Sequence, residues 1–282
     1  MQQKAYPVTL LCEVMEVSRS GYYKFINTAA TGVSLETVRL KADCNTLFAA
    51  SRQSYGSRRM AKGMRVQGYS LGRYQARTLM KKLGLQVKIK KRFCVTTDSK
   101  HAYPVANNIL ARQFDVNAPN QVWGTDLTYL WTQAGWVYLA VVIDLFSRQV
   151  AGWALKPHMT TNLVLEALRK AFWARKPEKG LLHHSDRGSQ YASDAYQAEL
   201  KQFGMTCSMS RKANCLDNSV VERFFRSLKS ECTHHYQFAN AQQAEQVVRD
   251  YILMFYNSHR LHSYLGYQSP MQYEKQYFDK AA

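Results

Sequence analysis

The sequence predicts a mixed α/β fold with flanking helices, preceded by an all-helical region, and three observations lead to this prediction. Apolar residues recur at helical spacing through the first 85 residues. From Val122 onward, short β-branched and aromatic runs alternate with helical stretches. The formal net charge is +18, with 19 Lys/Arg against 5 Asp/Glu in residues 1–100 and 19 against 15 in the other 182. A basic amino-terminal part favours a polyanion as partner, although charge alone also fits a solvated surface.

The amino-terminal region predicts helices that lead into a helix-turn-helix. A short helix is followed by a second one capped by Ser18, and a third spans Glu36–Ala50. Within residues 55–85, Ser57 is expected to cap one helix, a Gln-Gly pair to form the turn, and Ser70 to cap the next helix. Apolar spacing leaves four basic side chains of that last helix for solvent or phosphate. They are Arg73, Arg77, Lys81 and Lys82.

Many helical pairs with glycine turns never touch DNA, so this pattern alone is compatible with a purely structural role. The chain is therefore divided into a helical DNA-binding region at 1–85, a basic linker at 86–120 and an α/β core with a helical extension at 121–282. The linker contains KIKKRF at 88–93, which fits either a flexible tether or a basic arm lying along DNA.

The third part predicts three antiparallel strands, then a helix, a strand, a helix, a strand and a helix. The strands read VWGTDLTYL, WVYLAVVIDLF and RQVAGWAL, then LLHHSD and MTCSMS after intervening helices. The last helix of this order starts near Asn218, and AQQAEQVVRDYILMFYNSHR predicts a further amphipathic helix. The tyrosine-rich segment after it is expected to pack against the core, although its aromatic rings also suit base stacking.

Three acidic residues stand at distinctive places in this order. Asp126 lies in a predicted strand, Asp186 follows a predicted strand, and Glu222 lies on a predicted helix after 35 intervening residues. Taken singly, they also fit a turn former, an Asx turn and a solvated helix residue. Carboxylates from three separate elements suit Mg²⁺, which prefers oxygen ligands, and paired ions suit phosphodiester cleavage.

The residues around these acids resemble the ribonuclease-H-like core of retroviral integrases and DDE transposases. The chain resembles even more closely the second-reading-frame proteins of insertion sequences that encode two overlapping frames. The motifs that carry the resemblance are WGTDLTY, HSDRGSQY, SRKANCLDNSVVERFFRSLKSE and YNSHRLHSYLGYQSPMQYE. Relatives often carry glycine where Ala213 stands and a large aromatic residue where Leu216 stands, which affects the loop before Glu222 more than metal binding.

The resemblance implies a ribonuclease-H-like mixed sheet and a transposase that cleaves DNA at insertion-sequence ends and transfers the strand. Asp126, Asp186 and Glu222 would hold two Mg²⁺ or Mn²⁺ ions, and Lys229 would contact DNA. Lys229 and Arg226 lie on the helical face of Glu222, where Arg226 is either a DNA contact or a charge partner of Glu222. His184 and Asn218 would either orient water or phosphate, or serve as structural hydrogen-bonding residues.

The implied partners are double-stranded DNA, further copies of this chain on that DNA, and an upstream reading-frame product needed for full activity. No long apolar run is present, so no membrane partner is expected, and the implied location is the bacterial cytoplasm with the nucleoid. Cysteine and histidine pairs lack zinc-finger spacing, so structural zinc is not expected. Two alternative functions remain at this point, a DNA-binding regulator without strand chemistry and a general nuclease.

Overall fold

The computed structural model describes residues 6–30, 34–87, 103–212 and 214–281. The basic run at 88–93 and Ala213 lie outside these residues. Within the described residues, no helix is both long enough and apolar enough to cross a membrane.

Five helices build the described part of the amino-terminal region; the cap expected at Ser18 is present, and Ser34 provides a cap that was not predicted. Ser18 accepts a hydrogen bond from the Gly21 backbone N–H at 3.1 Å, and Ser34 accepts one from Thr37 at 3.2 Å. The helices are α1 (Val8–Val14), α2 (Arg19–Ala30), α3 (Leu35–Ala50), α4 (Ser57–Val66) and α5 (Arg73–Lys82).

The predicted helix-turn-helix corresponds to α4 and α5, but the caps expected at Ser57 and Ser70 are both wrong. Ser57 is the first residue of α4, whose N-cap is Gly56. Helix α5 begins at Arg73 after Gly72, which has an extended backbone. The Gln75 side chain reaches back and accepts a hydrogen bond from the Gly72 N–H at 2.7 Å. Gln75, three residues after Gly72, therefore satisfies the backbone N–H at the start of the helix, as in a capping box.

A five-stranded mixed sheet is the centre of the described residues after the helix-turn-helix, with strand order β3-β2-β1-β4-β5. Strands β1, β2 and β3 pair antiparallel, whereas β4 pairs parallel to β1 and β5 parallel to β4. This order confirms the predicted ribonuclease-H-like mixed sheet. The strands are β1 (Val122–Thr132), β2 (Gly135–Asp144), β3 (Val150–Lys156), β4 (Leu182–Ser185) and β5 (Thr206–Met209).

Helices cover both faces of the sheet, because alternate residues of each strand point to opposite faces. On one face, α6 packs so closely on β3 that a Cβ added at Gly152 would lie 2.4 Å from the Ala167 carbonyl oxygen. Glycine is therefore required at that crossing. The helices after β3 are α6 (Thr161–Arg175), α7 (Ser189–Ala192), α8 (Asp194–Gln202), α9 (Ser219–Glu231), α10 (Ala241–Asp250) and α11 (Pro270–Ala281).

The carboxyl-terminal extension differs from the single amphipathic helix that was expected after Asn240. Helix α10 continues as a π-helical segment at Tyr251–Asn257, whose wider turn buries Tyr251, Ile252, Phe255 and Tyr256 together. A tyrosine-rich loop follows, and α11 closes the chain. The helix α11 was not predicted.

Two buried apolar clusters lie on the two sides of the sheet. One joins Ala140 and Val142 of β2 to apolar residues of α6 and α8. The other joins Leu139 and Val141 of β2 to α9, α10 and the π-helical segment, and it also includes apolar residues of α3, α4 and α5. The helix-turn-helix therefore shares a buried core with the face of the sheet that α9 covers.

Candidate active site

Asp126 lies in the middle of β1, on the side of the sheet that α9 covers. The same side of β1 carries Gly124, where an added Cβ would lie 2.9 Å from a methyl group of Val221 on α9. One Asp126 carboxylate oxygen accepts a hydrogen bond from the Leu127 N–H at 2.8 Å. Strand β1 pairs with β4 only over Val122–Gly124, so Asp126 lies just beyond the end of that pairing.

Asp186 follows β4 directly, at the carboxyl end of a strand parallel to β1. Its Oδ1 accepts a hydrogen bond from the Gly188 N–H at 2.9 Å, which forms the Asx turn that the sequence also suggested. The turn is tied to the end of β5, since the Arg187 Nε donates to the Ser210 carbonyl oxygen at 2.7 Å. These bonds hold the Asp186 carboxylate in one orientation.

Glu222 lies in the first turn of α9 and is exposed. The start of this helix is anchored on β1, because the Asn218 Nδ2 donates to the carbonyl oxygen of Thr125 at 3.0 Å. Thr125 immediately precedes Asp126. Of its two suggested roles, Asn218 therefore has the structural one, and it places the helix that carries Glu222 beside the strand that carries Asp126.

The charges of the other two acids act on Asp126. Burial raises the pKa of Asp126 well above its usual value, and the charges of Asp186 and, more weakly, Glu222 raise it further. The Leu127 N–H and the Lys229 ammonium act in the opposite direction. Loss of hydration also raises the pKa of Glu222, while the nearby Arg226 charge lowers it. This concentration of negative charge favours a bound cation.

The fit of a divalent ion to these residues is partial. Asp126 and Asp186 supply hard carboxylate oxygens at adjoining strands, and Mg²⁺ usually takes one or two protein carboxylates together with water and substrate phosphate. However, no three histidine, cysteine, aspartate or glutamate side chains in the described parts of the chain are grouped so that they would hold a metal ion. The described residues therefore offer carboxylates on adjoining elements but not a complete set of three ligands.

Lys229 lies two turns after Glu222 on α9, and its Nζ is 4.8 Å from the centre of the Tyr129 ring. Its charge also lowers the pKa of Asp126. A cation that reaches both the aspartate and an aromatic ring is well placed to meet a phosphate beside the carboxylates. Arg226 is exposed on the same helix.

The four basic residues predicted to face DNA all lie on α5 and are exposed: Arg73, Arg77, Lys81 and Lys82. The opposite side of the helix is buried through Ala76 and Met80. The four basic side chains form a surface on α5, a different helix from the one that carries Glu222. Their exposure is compatible with phosphate contact and equally with a solvated surface.

His184 is a structural residue in this fold. Its Nδ1 lies 2.9 Å from the Ser208 hydroxyl and its Nε2 3.1 Å from that of Ser210, so both ring nitrogens have partners. Burial lowers the pKa of His184 to about 4, which keeps the ring neutral. In the loop before Glu222, Leu216 is exposed.

Asp217 is the site residue that sequence reasoning missed. Its fully buried carboxylate accepts hydrogen bonds from the Arg112 Nε at 2.7 Å, the Arg211 Nη2 at 2.8 Å and the Asn108 Nδ2 at 2.9 Å. The Arg211 hydrogen bond is the main cause that holds the pKa of Asp217 well below its usual value. The only sequence signal was its place beside Asn218, one turn before Glu222.

Three segments of the chain match known sequence families. Residues 37–93 match the family described as HTH-like domain. Residues 116–215 and residues 222–278 each match a family described as Integrase core domain. These matches cover the helix-turn-helix and the sheet with its carboxyl-terminal helices.

Whole-chain relatives extend these matches. The chain is 42% identical over 272 residues to the insertion element IS600 uncharacterized 31 kDa protein of Shigella sonnei, covering 96% of this chain and 100% of the relative. It is 39% identical over 274 residues to the transposase InsF for insertion sequence IS3A of Escherichia coli strain K12, covering 96% and 95%.

Among solved structures, the fold is similar to a chain of a simian T-cell lymphotropic virus intasome in complex with PP2A regulatory subunit B56 gamma. The TM-score is 0.49 at 15% identity, covering 75% of this chain and 69% of that one. Identity near 40% over nearly the full length of the insertion-sequence proteins shows the family. The chain belongs to the IS3 family of insertion-sequence transposases, polynucleotidyl transferases with an integrase core domain.

Proposed function

We propose that this transposase cleaves DNA at the ends of its insertion sequence and transfers the freed strand, with Asp126, Asp186 and Glu222 as catalytic carboxylates. The observation that carries the proposal is geometric: Asp126 lies on β1 and Asp186 directly after the adjoining parallel strand β4, and Asn218 anchors the helix of Glu222 beside Asp126. In agreement with this placement, the charges of Asp186 and Glu222 raise the pKa of the half-buried Asp126. A fold that keeps such repulsion loses stability unless a cation or a substrate relieves it.

The chemistry is two displacements at phosphorus. In the first, a water molecule attacks the phosphodiester at the element end and frees a 3′ hydroxyl. In the second, that hydroxyl attacks another phosphodiester, so each new P–O bond replaces one that breaks. When bound, two Mg²⁺ or Mn²⁺ ions would make the attacking oxygen nucleophilic and stabilise the leaving oxygen.

The chain's own residues would position these reactants. Asp126 and Asp186 would hold the ions from two neighbouring strands, and Glu222 would complete the ligand set from α9. Because Asn218 fixes the start of α9 on β1, the carboxylates approach from a rigid frame. Lys229 would hold a phosphate next to them. The exposed basic side chains of α5 would bind the duplex backbone: Arg73, Arg77, Lys81 and Lys82.

The proposed partners and cellular location follow from the DNA substrate. Double-stranded DNA of the element ends and target would bring several copies of the chain together, since two ends must be joined. An upstream reading-frame product is proposed to be required for full activity. A DNA substrate in a bacterial cell would place the enzyme in the cytoplasm with the nucleoid.

The test is nicking and strand joining on a duplex that carries the element's terminal repeat. Wild type is compared with Glu222→Gln, which keeps the size of the side chain and removes its charge. Wild type should produce joined strands with Mg²⁺ or Mn²⁺ and none with a chelator. The variant should bind the same DNA without any chemistry.

Other outcomes point elsewhere. Cutting without joining, and without preference for the repeat, would indicate a general nuclease. Binding without chemistry in both proteins would indicate a regulator or the need for the upstream product, and the fused protein would separate these two. Full activity of the variant would remove Glu222 from the proposed site.

A further inference from the structure

The far end of the β1–β2 hairpin carries a cluster of exposed aromatic rings. Trp131 and Trp136 face each other across the two strands and are 58% and 48% exposed. Their ring centres are 4.8 Å apart, and Trp136 also meets the half-buried Tyr129 edge-to-face at 4.9 Å. Two large indole rings at this exposure form an apolar surface that folding leaves in water.

This aromatic strip, Tyr129, Trp131 and Trp136, lies on the face of β1 opposite to Asp126, because alternate residues of a strand point to opposite faces. The Lys229 ammonium lies over the Tyr129 ring at one end of the strip, and its charge acts on Asp126. A strand rises about 3.3 Å per residue, so Tyr129 lies about 10 Å and Trp131 about 16 Å along β1 from Asp126. A short stretch of nucleotides spans that distance.

The strip is rigid and free of negative charge. Residues 127–143 contain no charged side chain. The tip of the hairpin is held by a hydrogen bond from the Gln133 N–H to the Phe238 carbonyl oxygen at 2.8 Å, and by the Thr132 hydroxyl, which donates to the Gly135 carbonyl oxygen at 2.7 Å. A preformed aromatic surface loses little conformational entropy when it binds a ligand.

We propose that the aromatic strip binds the bases of single-stranded DNA next to the cleaved phosphodiester. Aromatic rings stack on any base, and a nearby cation holds the backbone, which is the usual recognition of single strands without sequence preference. The strip would hold the frayed or cut end of the DNA beyond Lys229, across β1 from the Asp126 carboxylate. This inference rests on the proposed DNA cleavage, because it places the strip beside that site.

The test is a binding measurement in the presence of a chelator, so that it does not depend on chemistry. The probes are a blunt duplex, the same duplex with a short single-stranded extension on either strand, and that extension without its bases. The proteins are wild type, Trp131→Ala, Trp136→Ala and the control Trp173→Ala. Trp173 is 65% exposed on α6, away from the hairpin in sequence and on another element.

Wild type should bind the extended duplex more tightly than the blunt one. Each hairpin variant should lose about 5- to 100-fold in affinity for the extended duplex and nothing for the blunt one. Removing the bases from the extension should lower wild-type affinity to the level of the variants, which should then lose nothing further. Trp173→Ala should behave as wild type with every probe.

Equal affinity of wild type for blunt and extended duplexes would overturn the proposal, as would equal losses on both. A change of sedimentation without any effect on DNA binding would assign the strip to contact between copies of the chain instead. Failure of the proposed DNA cleavage can be distinguished from failure of the strip. If wild type prefers the extended duplex but never cuts DNA, the proposed stacking site stands and the proposed cleavage is contradicted.

Discussion

Single buried polar residues set much of the geometry around the carboxylates. Asp217 draws Arg112 and Arg211 together over the loop that precedes α9. Its neighbour Asn218 bonds to β1. Two adjacent side chains therefore tie the start of α9 to both the preceding loop and the sheet, and Glu222 depends on this anchoring for its position. Hydrogen bonds to a buried charge are among the stronger ones in proteins.

Buried histidines make the fold sensitive to acid. His183 is fully buried in β4, with its Nε2 3.1 Å from the Tyr196 hydroxyl. Burial, with the neighbouring His184, lowers the pKa of His183 to about 3, and burial lowers that of His184 to about 4. Both folded pKa values lie below the unfolded value near 6.5, so between these limits the unfolded chain binds more protons. The stability that the two neutral histidines contribute to the folded state is complete above about pH 6.5 and is lost as pH falls toward their folded pKa values.

We therefore expect each of these histidines to lower the free energy of unfolding by about 1.4 kcal/mol per pH unit below about pH 6. His183→Gln removes one titrating group and should reduce that slope by the same amount. Urea unfolding between pH 4.5 and 7.5 measures it. An unchanged slope in the variant would show that His183 is not the group that titrates.

At the scale of elements, α9 is fixed at both ends. Its last residue, Glu231, is buried and forms two hydrogen bonds of 2.7 Å with Arg260, from the loop after the π-helical segment. The Tyr251 hydroxyl donates to the same carboxylate at 2.8 Å, and Arg59 of α4 lies 3.7 Å from it. One carboxylate therefore connects the helix of Glu222 to the carboxyl-terminal extension and to the helix-turn-helix.

Arg260→Met is expected to lower the free energy of unfolding by about 3–5 kcal/mol, because it leaves the buried Glu231 charge without its main partner. Adding Glu231→Gln should recover part of that loss, since the uncompensated charge disappears. Arg249→Met is the control, because its pair with Glu245 is an exposed helical ion pair worth about 0.3–0.5 kcal/mol. Urea unfolding measures all four proteins. Equal losses in Arg260→Met and Arg249→Met would contradict the buried network.

At the scale of the whole molecule, the amino-terminal helices are part of the folded core. Phe48 of α3, Met60 and Met64 of α4 and Met80 of α5 belong to the same buried cluster as Phe224 of α9 and Ile252. Arg52 is paired with Asp250 of α10, and its guanidinium lies 5.7 Å from the centre of the Tyr251 ring. Docking of the helix-turn-helix thus covers apolar surface of α9, α10 and the π-helical segment.

A piece that begins at residue 103 should therefore melt at a lower temperature than the full chain and aggregate more readily, since it exposes this apolar surface. A piece that begins at Ser34 is the matched control. It lacks α1 and α2, whose described residues contribute nothing to either large cluster, and it should melt close to the full chain. Calorimetry with light scattering compares the three. Equal melting of the 103–282 piece and the full chain would show that the helix-turn-helix docks without stabilising the core.

Local sequence patterns determined the elements of this protein. Strand periodicity and helical spacing predicted all five strands and most helices, because the side-chain period of each element is a local property of the chain. The motifs around Asp126, Asp186 and Glu222 carried the family resemblance, and the family matches confirm it. The catalytic role of these three residues stays a prediction. The caps at Ser57 and Ser70 were wrong, because both helices start after a glycine. At α5 the Gln75 side chain, from inside the helix, accepts the hydrogen bond of the Gly72 N–H.

Only the tertiary structure decided which distant residues meet. The partners of Asp217 and Glu231 come from segments far away in sequence, and no local pattern marks a carboxylate that packing will bury. The same holds for the aromatic strip, since Trp131 and Trp136 become neighbours through strand register. Periodicity acts over a few residues, whereas burial and charge pairing depend on contacts across the whole fold. The sequence therefore determined the elements and the family, and packing decided how the site is held.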